Sequence, residues 1–294
     1  MINRTVRFLV CAAFGLALAG SGRALAQDTP AEGTTPAGGE ATPPPAAPSA
    51  AASAPISATE ATLHQGAISI DGDVVINLSA NEAFKPVQIV PNFYYGVSSE
   101  LTVGFVHNPG AEIFQAGGGV PTLGRGLCIS GSSNGCPHFY DNFSLDALFS
   151  FLRTSTMDLA AHGGLDFLSL SDPFRMSLRL GIKGKTMAGP VMIVADPSLN
   201  IGLNNRDQAN KEFVFIPLRL GYMVMPELNV GLSVALNGPT DRFGDFYTIP
   251  LGAGASYLIS SALDVRAQFT FTNLAGKNGG GDGRALSIGA AYRM

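Results

Sequence analysis

The 294-residue chain contains no tryptophan, three cysteines and 14% charged residues. Ordinary soluble domains carry roughly 25% charge. Past residue 26 there is no apolar run near the roughly 20 residues that a spanning helix needs. The net charge is -4 and no basic block occurs, which argues against nucleic acid as a partner. The chain is thus too poor in charge for an ordinary soluble surface and too broken in hydropathy for a helical membrane protein.

What is present begins with MINRTVRFLVCAAFGLALAGSGRALAQ. Arg4 and Arg7 precede an apolar stretch from Phe8 to Gly20, and Ala24-Leu25-Ala26 closes it. A basic region, a short apolar region and a small-x-small site read as a secretory signal peptide over 1–26. Residues 27–60 are almost all Pro, Ala, Gly, Thr and Ser, with no aromatic side chain. Such a segment buries too little surface to offset its ordering entropy, so it reads as a disordered Pro/Ala-rich linker. It is expected on the periplasmic side, as a spacer or as the site of a periplasmic partner.

Cys11 falls within the signal. The remaining pair, Cys128 and Cys136, sits in the Gly/Ser/Asn loop GLCISGSSNGCPHFYDN. In an exported chain a disulfide is the expectation. His138 is close by, but two Cys and one His make a poor zinc set, so no metal and no cofactor is expected.

From about residue 61 to 294 the chain alternates at period two, which means strands with two unlike faces. In SALDVRAQFTFTN, Asp264, Arg266, Gln268, Thr270 and Thr272 take every second place, with Leu263, Val265, Ala267, Phe269 and Phe271 between. LNVGLSVALN (228–237), FVFIPLRLGYMV (213–224), MSLRLGIKG (176–184) and MDLAAHGGLDF (157–167) repeat the pattern. One face is nearly free of charge. The other holds Gly, Ser, Thr, Asn and Ala with scattered charges, where a soluble sandwich would show more Lys and Glu. This fits lipid on one side and a crowded lumen on the other. A lipid-facing Arg266 would cost on the order of 2–4 kcal/mol.

The expected architecture is all-β: a transmembrane, antiparallel, up-and-down β-barrel of about twelve strands, within a range of ten to fourteen. The strands are placed at 66–80, 86–97, 100–108, 142–153, 156–169, 174–186, 190–203, 212–224, 227–237, 246–259, 262–274 and 284–294. Short turns after Tyr95, Tyr222 and Tyr257 alternate with longer loops at 109–141, 204–211, 238–245 and 275–283. The three tyrosines then form an aromatic girdle at the turn end. Pro91, Pro217 and Pro250 lie inside strands, where each lacks a ladder donor, so bulges are expected there.

The final segment, RALSIGAAYRM, alternates through Leu286, Ile288, Ala290, Tyr292 and Met294. It resembles the C-terminal signal of bacterial outer-membrane barrels, which end more often in Phe. The resemblance is architectural and covers about 230 residues. It implies a Gram-negative outer-membrane location, contact with lipid and lipopolysaccharide, and recognition of the last strand by barrel-assembly machinery.

On parity, Asp146, Asp158, His162, Asp166, Arg179, Lys183, Arg219, Asp264 and Arg266 are the candidate lumen residues, and no catalytic residue is expected. His107 takes the apolar parity near the loop end. Some outer-membrane phospholipases pair a His there with a nearby Ser, but His107-Asn108-Pro109 has none. His64 reads as a tail residue and His138 as a loop residue. GKNGGGDGR (276–284) lacks the strand-loop-helix context of a phosphate loop and reads as a hairpin tip. Arg206, Lys211, Arg242, Lys277 and Arg284 fall near the outer rim, in reach of lipopolysaccharide phosphates. These features point to a passive, porin-like channel for small solutes with a mixed-charge lumen. The alternative is a closed barrel that anchors a periplasmic or surface interaction. An outer-membrane hydrolase is the third reading.

Overall fold

The computed structural model describes residues 60–79, 85–107, 126–208, 210–277 and 281–294. The signal and all but the last residue of the linker lie outside the described residues, as do parts of the loops at 109–141 and 275–283.

The described strands form one antiparallel sheet closed on itself. It starts with β1 (Ile68–Asn77), β2 (Val87–Gly96) and β3 (Leu101–Val106). A two-residue strand, β4 (Leu127–Cys128), precedes β5 (Phe143–Arg153), β6 (Met157–Ser169) and β7 (Arg175–Ala188). Then follow β8 (Val191–Ala195), β9 (Ser198–Gly202), β10 (Phe213–Met225), β11 (Leu228–Pro239), β12 (Thr248–Ser260), β13 (Leu263–Gly276) and β14 (Arg284–Arg293). β1 pairs with both β2 and β14, which closes the wall and removes its edges. β8 and β9 both lie between β7 and β10, one above the other. β4 likewise continues beside β2 past the end of β3. The wall therefore has twelve positions, at the places the alternation marks.

Inward and outward side chains separate cleanly. On β5, Leu145 and Phe149 are 47% and 52% exposed, while Asp146 and Leu148 between them are 7% and 2% exposed. Tyr95, Tyr222, Tyr257 and Tyr292 all point outward at the short-turn end. At the loop end Phe105, Phe143, Phe167 and Phe174 run around the outside, with ring centroids 5.1, 4.4 and 6.2 Å apart in turn. Two aromatic belts flanking an apolar band are what a bilayer selects.

The proline expectation holds at one position of three. Only Pro250 sits at a register shift, between Ile249 and Leu251. Pro217 keeps its register with Ala235. Its other side faces the break between β8 and β9, where a ladder donor is not needed. Pro91 pairs in register with Gly72 and faces the gap between β3 and β4. Interrupted neighbours replace the expected bulges. His107 is also not lipid-facing. It is buried just past β3, its backbone N–H donates to Asn92 Oδ1 at 2.8 Å, and its ring meets the Pro91 carbonyl and the Tyr140 hydroxyl. Its side chain helps bridge the gap in the wall.

Both ends of the wall meet at the short-turn mouth, where Ile68 and Met294 exchange backbone hydrogen bonds of 2.8 and 2.9 Å. The chain before β1 does not run away from this mouth. Ala61, Thr62 and Leu63 are 1%, 0% and 0% exposed. Ala61 and Leu63 pack with the inward-facing Tyr94, Leu148 and Ala160. Ala61, Thr62 and Leu63 thus enter the barrel, and half-buried Glu60 and His64 complete an inserted segment that leaves through exposed Gln65 and Gly66, so His64 does not sit in a tail.

Candidate functional site: the barrel interior

All nine candidate lumen residues are buried on the inward parity. They fall into groups held by partners on other strands. On one side Arg266 Nε and Nη2 donate to the two oxygens of Asp73 at 2.9 and 2.7 Å. The same Nη2 lies 3.5 Å from Asp71. Asn92 Nδ2 donates to Asp71 at 2.6 Å, and Ser287 Oγ to Asp73 at 3.1 Å. Gly289 leaves the room: a Cβ there would strike Asp73 and the Gly72 carbonyl. Asp264 has its own partner, Arg293. Neighbours on one strand face, Asp264 and Arg266 therefore serve different strands.

Across the barrel His162 has one ring nitrogen 2.7 Å from Asp196 and the other 2.9 Å from Asp146. Arg179 Nη2 donates to Asp146 at 2.7 Å and lies 3.4 Å from Asp166. Gly164 gives this guanidinium its place, since a Cβ would meet Arg179 Nη2. Lys183 is in electrostatic reach of Asp196. Tyr94, packed on Gly104, stands between the two groups, in reach of Asp71 and Arg266 as well as Asp146 and Arg179.

The third group grips the inserted segment. Asp158 accepts from Ala61 N at 2.8 Å and from Arg153 Nε at 3.1 Å. Leu63 N donates to Thr102 Oγ1 at 2.7 Å, and Thr62 Oγ1 to the Ser99 carbonyl at 2.9 Å. Arg153 also reaches Thr62, and Lys185 Nζ reaches the Glu60 carbonyl at 3.4 Å. His64 lies 3.3 Å from Glu60. Gly96 permits the close approach, for a Cβ there would overlap the His64 carbonyl and meet Leu63 Cβ at 3.1 Å.

The wall of β10 to β12 differs. Gly221, Gly231 and Gly254 stand in one register row, with Ser233, Ala235 and Gly252 beside them. Arg219 is the charge this wall contributes to the candidate set, and it is buried there.

Sequence reading missed Asp71, Asp73, Asp196 and the inserted segment. Asp71 and Asp73 were readable, because ISIDGDVVIN alternates as cleanly as the other strands. Asp196 was not, because it lies in the break before Pro197. At the rim, Arg206 pairs with Glu212 at 2.6 Å, Lys211 with Asp241 at 2.8 Å and Lys277 with Asp245 at 4.0 Å. Arg242 lies 4.8 Å over the Phe246 ring, and Arg284 Nε donates to the Gly281 carbonyl. Each of the five basic residues has a contact within the protein. Cys128 and Cys136 are joined in a disulfide.

A closed antiparallel wall, an apolar exterior and a charged interior define a transmembrane β-barrel. No protein-family model and no curated protein matches the chain. Among solved structures it is similar to the KdgM porin at 8% identity and TM-score 0.50, covering 76% of this chain and 98% of that one. It is similar to the NanC porin at 6% identity and TM-score 0.52, covering 77% and 100%. An outer membrane channel from Pseudomonas putida F1 shows 15% identity and TM-score 0.51, covering 79% and 97%. The likeness is one of fold: the chain has the barrel architecture of outer-membrane porins and channels.

Proposed function

We propose that this protein is a passive channel for small polar solutes in a Gram-negative outer membrane, closed at its short-turn mouth by residues 60–66 in the conformation described. The observation that carries the reading is the inward face: a closed wall turns its ionisable side chains into the lumen and its apolar ones to lipid. Short turns on one rim and long loops on the other orient the barrel, with turns toward the periplasm. Asp146, Asp158, His162, Asp166, Arg179, Lys183, Arg219, Asp264 and Arg266 then line the solute path. Both signs are present, so weak ion selectivity is expected. The last strand would carry the assembly signal, and basic loop residues would trade their present partners for lipopolysaccharide phosphates.

A second reading, a closed barrel that anchors an interaction, is favoured by the burial of those same charges, seven of which stand in ion pairs. Single-channel recording in a planar bilayer separates the two, with heat-modifiable gel mobility as the folding control. Discrete conductance steps support the channel. A folded barrel silent both as wild type and with the inserted segment displaced leaves the anchor.

A further inference from the structure

Residues 60–64 sit in the mouth as a bound ligand would. They belong to no strand, and the wall meets their backbone with side chains instead of a ladder. Asp158 on β6 accepts from Ala61 N at 2.8 Å, and Thr102 on β3 accepts from Leu63 N at 2.7 Å. Lys185 on β7 donates to the Glu60 carbonyl at 3.4 Å. Three backbone groups of one short stretch are thus read by three strands. Every peptide of that length carries the same backbone groups. Main-chain bonds of this kind supply affinity in peptide recognition, and side-chain pockets supply the preference.

The pockets here are of two kinds. Ala61 and Leu63 are closed in by Tyr94, Leu148 and Ala160. At the other end the Glu60 carboxylate lies 3.9 Å from Arg153 Nη1. Arg153 also donates to the Thr62 hydroxyl, which in turn donates to the Ser99 carbonyl at 2.9 Å. An acid, a small residue, a hydroxyl and an aliphatic residue are therefore met in that order. The occupant itself measures the site. Five residues fill it, and Gly96 leaves the room for the His64 carbonyl.

Other solutes match these groups less well. Sugar hydroxyls suit Asp158 and Thr102, but a sugar has no branched aliphatic end for Tyr94, Leu148 and Ala160. We propose that this cradle is a solute subsite of the channel, that its solutes are short peptides with an acidic residue three places before an aliphatic one, and that residues 60–64 occupy it as an internal competitor. Binding stands on the geometry of the cradle; permeation rests on the channel reading.

The probe is acetyl-Glu-Ala-Thr-Leu-His-amide, titrated by calorimetry or NMR into the full chain folded in detergent micelles. Ala61→Pro with Leu63→Pro removes both backbone donors of the resident segment and leaves the wall untouched. Leu63→Asp, which withdraws the aliphatic anchor, is a second opened form. Both should keep heat-modifiable mobility. Saturable binding to the opened forms is expected, about tenfold or more tighter than to the wild type, where the tethered copy competes at an effective concentration of order millimolar. N-methylation of the probe at Ala and Leu should weaken it about tenfold or more, as should Asp in place of its Leu. Asp158→Ala in the double-proline chain should weaken the parent probe by a similar factor and the N-methylated probe far less.

No saturable binding to either opened form at millimolar probe, or binding indifferent to N-methylation, overturns the proposal. Equal competition by maltose would overturn it in favour of a sugar subsite. In proteoliposomes the opened forms should admit the probe. Binding without uptake overturns the solute role and, with it, the channel reading for this class, while the cradle stands. Conductance without saturable binding keeps the channel and removes the cradle.

Discussion

Arg266 and Asp73 stand 193 residues apart in the chain and share two parallel hydrogen bonds of 2.9 and 2.7 Å inside the barrel. The pair joins β13 to β1 across β14, at the seam where the sheet closes. Breaking a buried pair from one side leaves an uncompensated charge and costs about 3–5 kcal/mol. Arg266→Leu exposes both Asp71 and Asp73 to that penalty. Urea unfolding in micelles should show a loss of that size, and Arg266→Lys should recover part of it, because an ammonium lacks the planar fork. A change within roughly 0.5 kcal/mol, as at surface positions, would show that lumen water replaces the guanidinium at no cost.

The inserted segment can be displaced without touching a charge. Gly96 faces inward against Leu63 and His64, so Gly96→Val is expected to expel residues 60–66. Conductance should rise in amplitude or open probability, with the wall still heat-modifiable. Asp158→Ala, which removes the acceptor for Ala61 N, should act in the same direction. If recordings of Gly96→Val match the wild type, the segment does not close the mouth.

The rim pairs titrate with a known sign. The bond from Arg206 holds the Glu212 carboxyl below its ordinary 4.5, and that from Lys211 holds Asp241 below its ordinary 3.8. A depressed carboxyl contributes stability above its unfolded value and loses it as pH falls through the folded one. The loops at 203–212 and 240–247 should therefore loosen below about pH 4 while the wall persists. Pepsin nicking within these loops should increase between pH 4 and 2, and high salt should mimic the effect at neutral pH. Equal protection at pH 7 and pH 3 by hydrogen exchange would show that the pairs do not order the loops.

The disulfide closes a short loop that lies along the start of β2. Ile129 N donates to the Val87 carbonyl, and Lys85 and Asn134 exchange hydrogen bonds. On the chain-entropy view the bridge restrains the unfolded loop by roughly 2–3 kcal/mol. Cys128→Ser with Cys136→Ser should increase proteolysis near residues 129–138 and leave the wall folded. Loss of the heat-modifiable band would mean that the loop is needed for closure of the sheet.

The wall was legible in sequence because lipid and lumen impose period two on almost every strand. Leu263 to Thr272 and Leu228 to Asn237 declare both faces without any tertiary information. The same rule placed Asp146, Arg179 and Arg266 inward, but it could not pair them. Partners such as Asp73 and Arg266 come from opposite ends of the chain, and register across a closing seam leaves no local trace. Composite positions were hidden for another reason. β4 is two residues long, and Pro197 divides β8 from β9, so neither supplies enough alternation to see. The inserted segment EATLHQG has no period of its own, because it is shaped by the cavity it enters.

Gly66, at φ +80°, joins that segment to the wall, and Gly66 and Ala67 share backbone bonds with Gly96. Residues 60–65 are therefore tethered beside the mouth they are proposed to close. When they leave the mouth they remain within a few residues of it, at an effective concentration of order millimolar. Reclosure is then a first-order event, insensitive to how densely the protein is packed in the membrane. A soluble peptide of the same sequence would need to exceed that local concentration before it could take the segment's place.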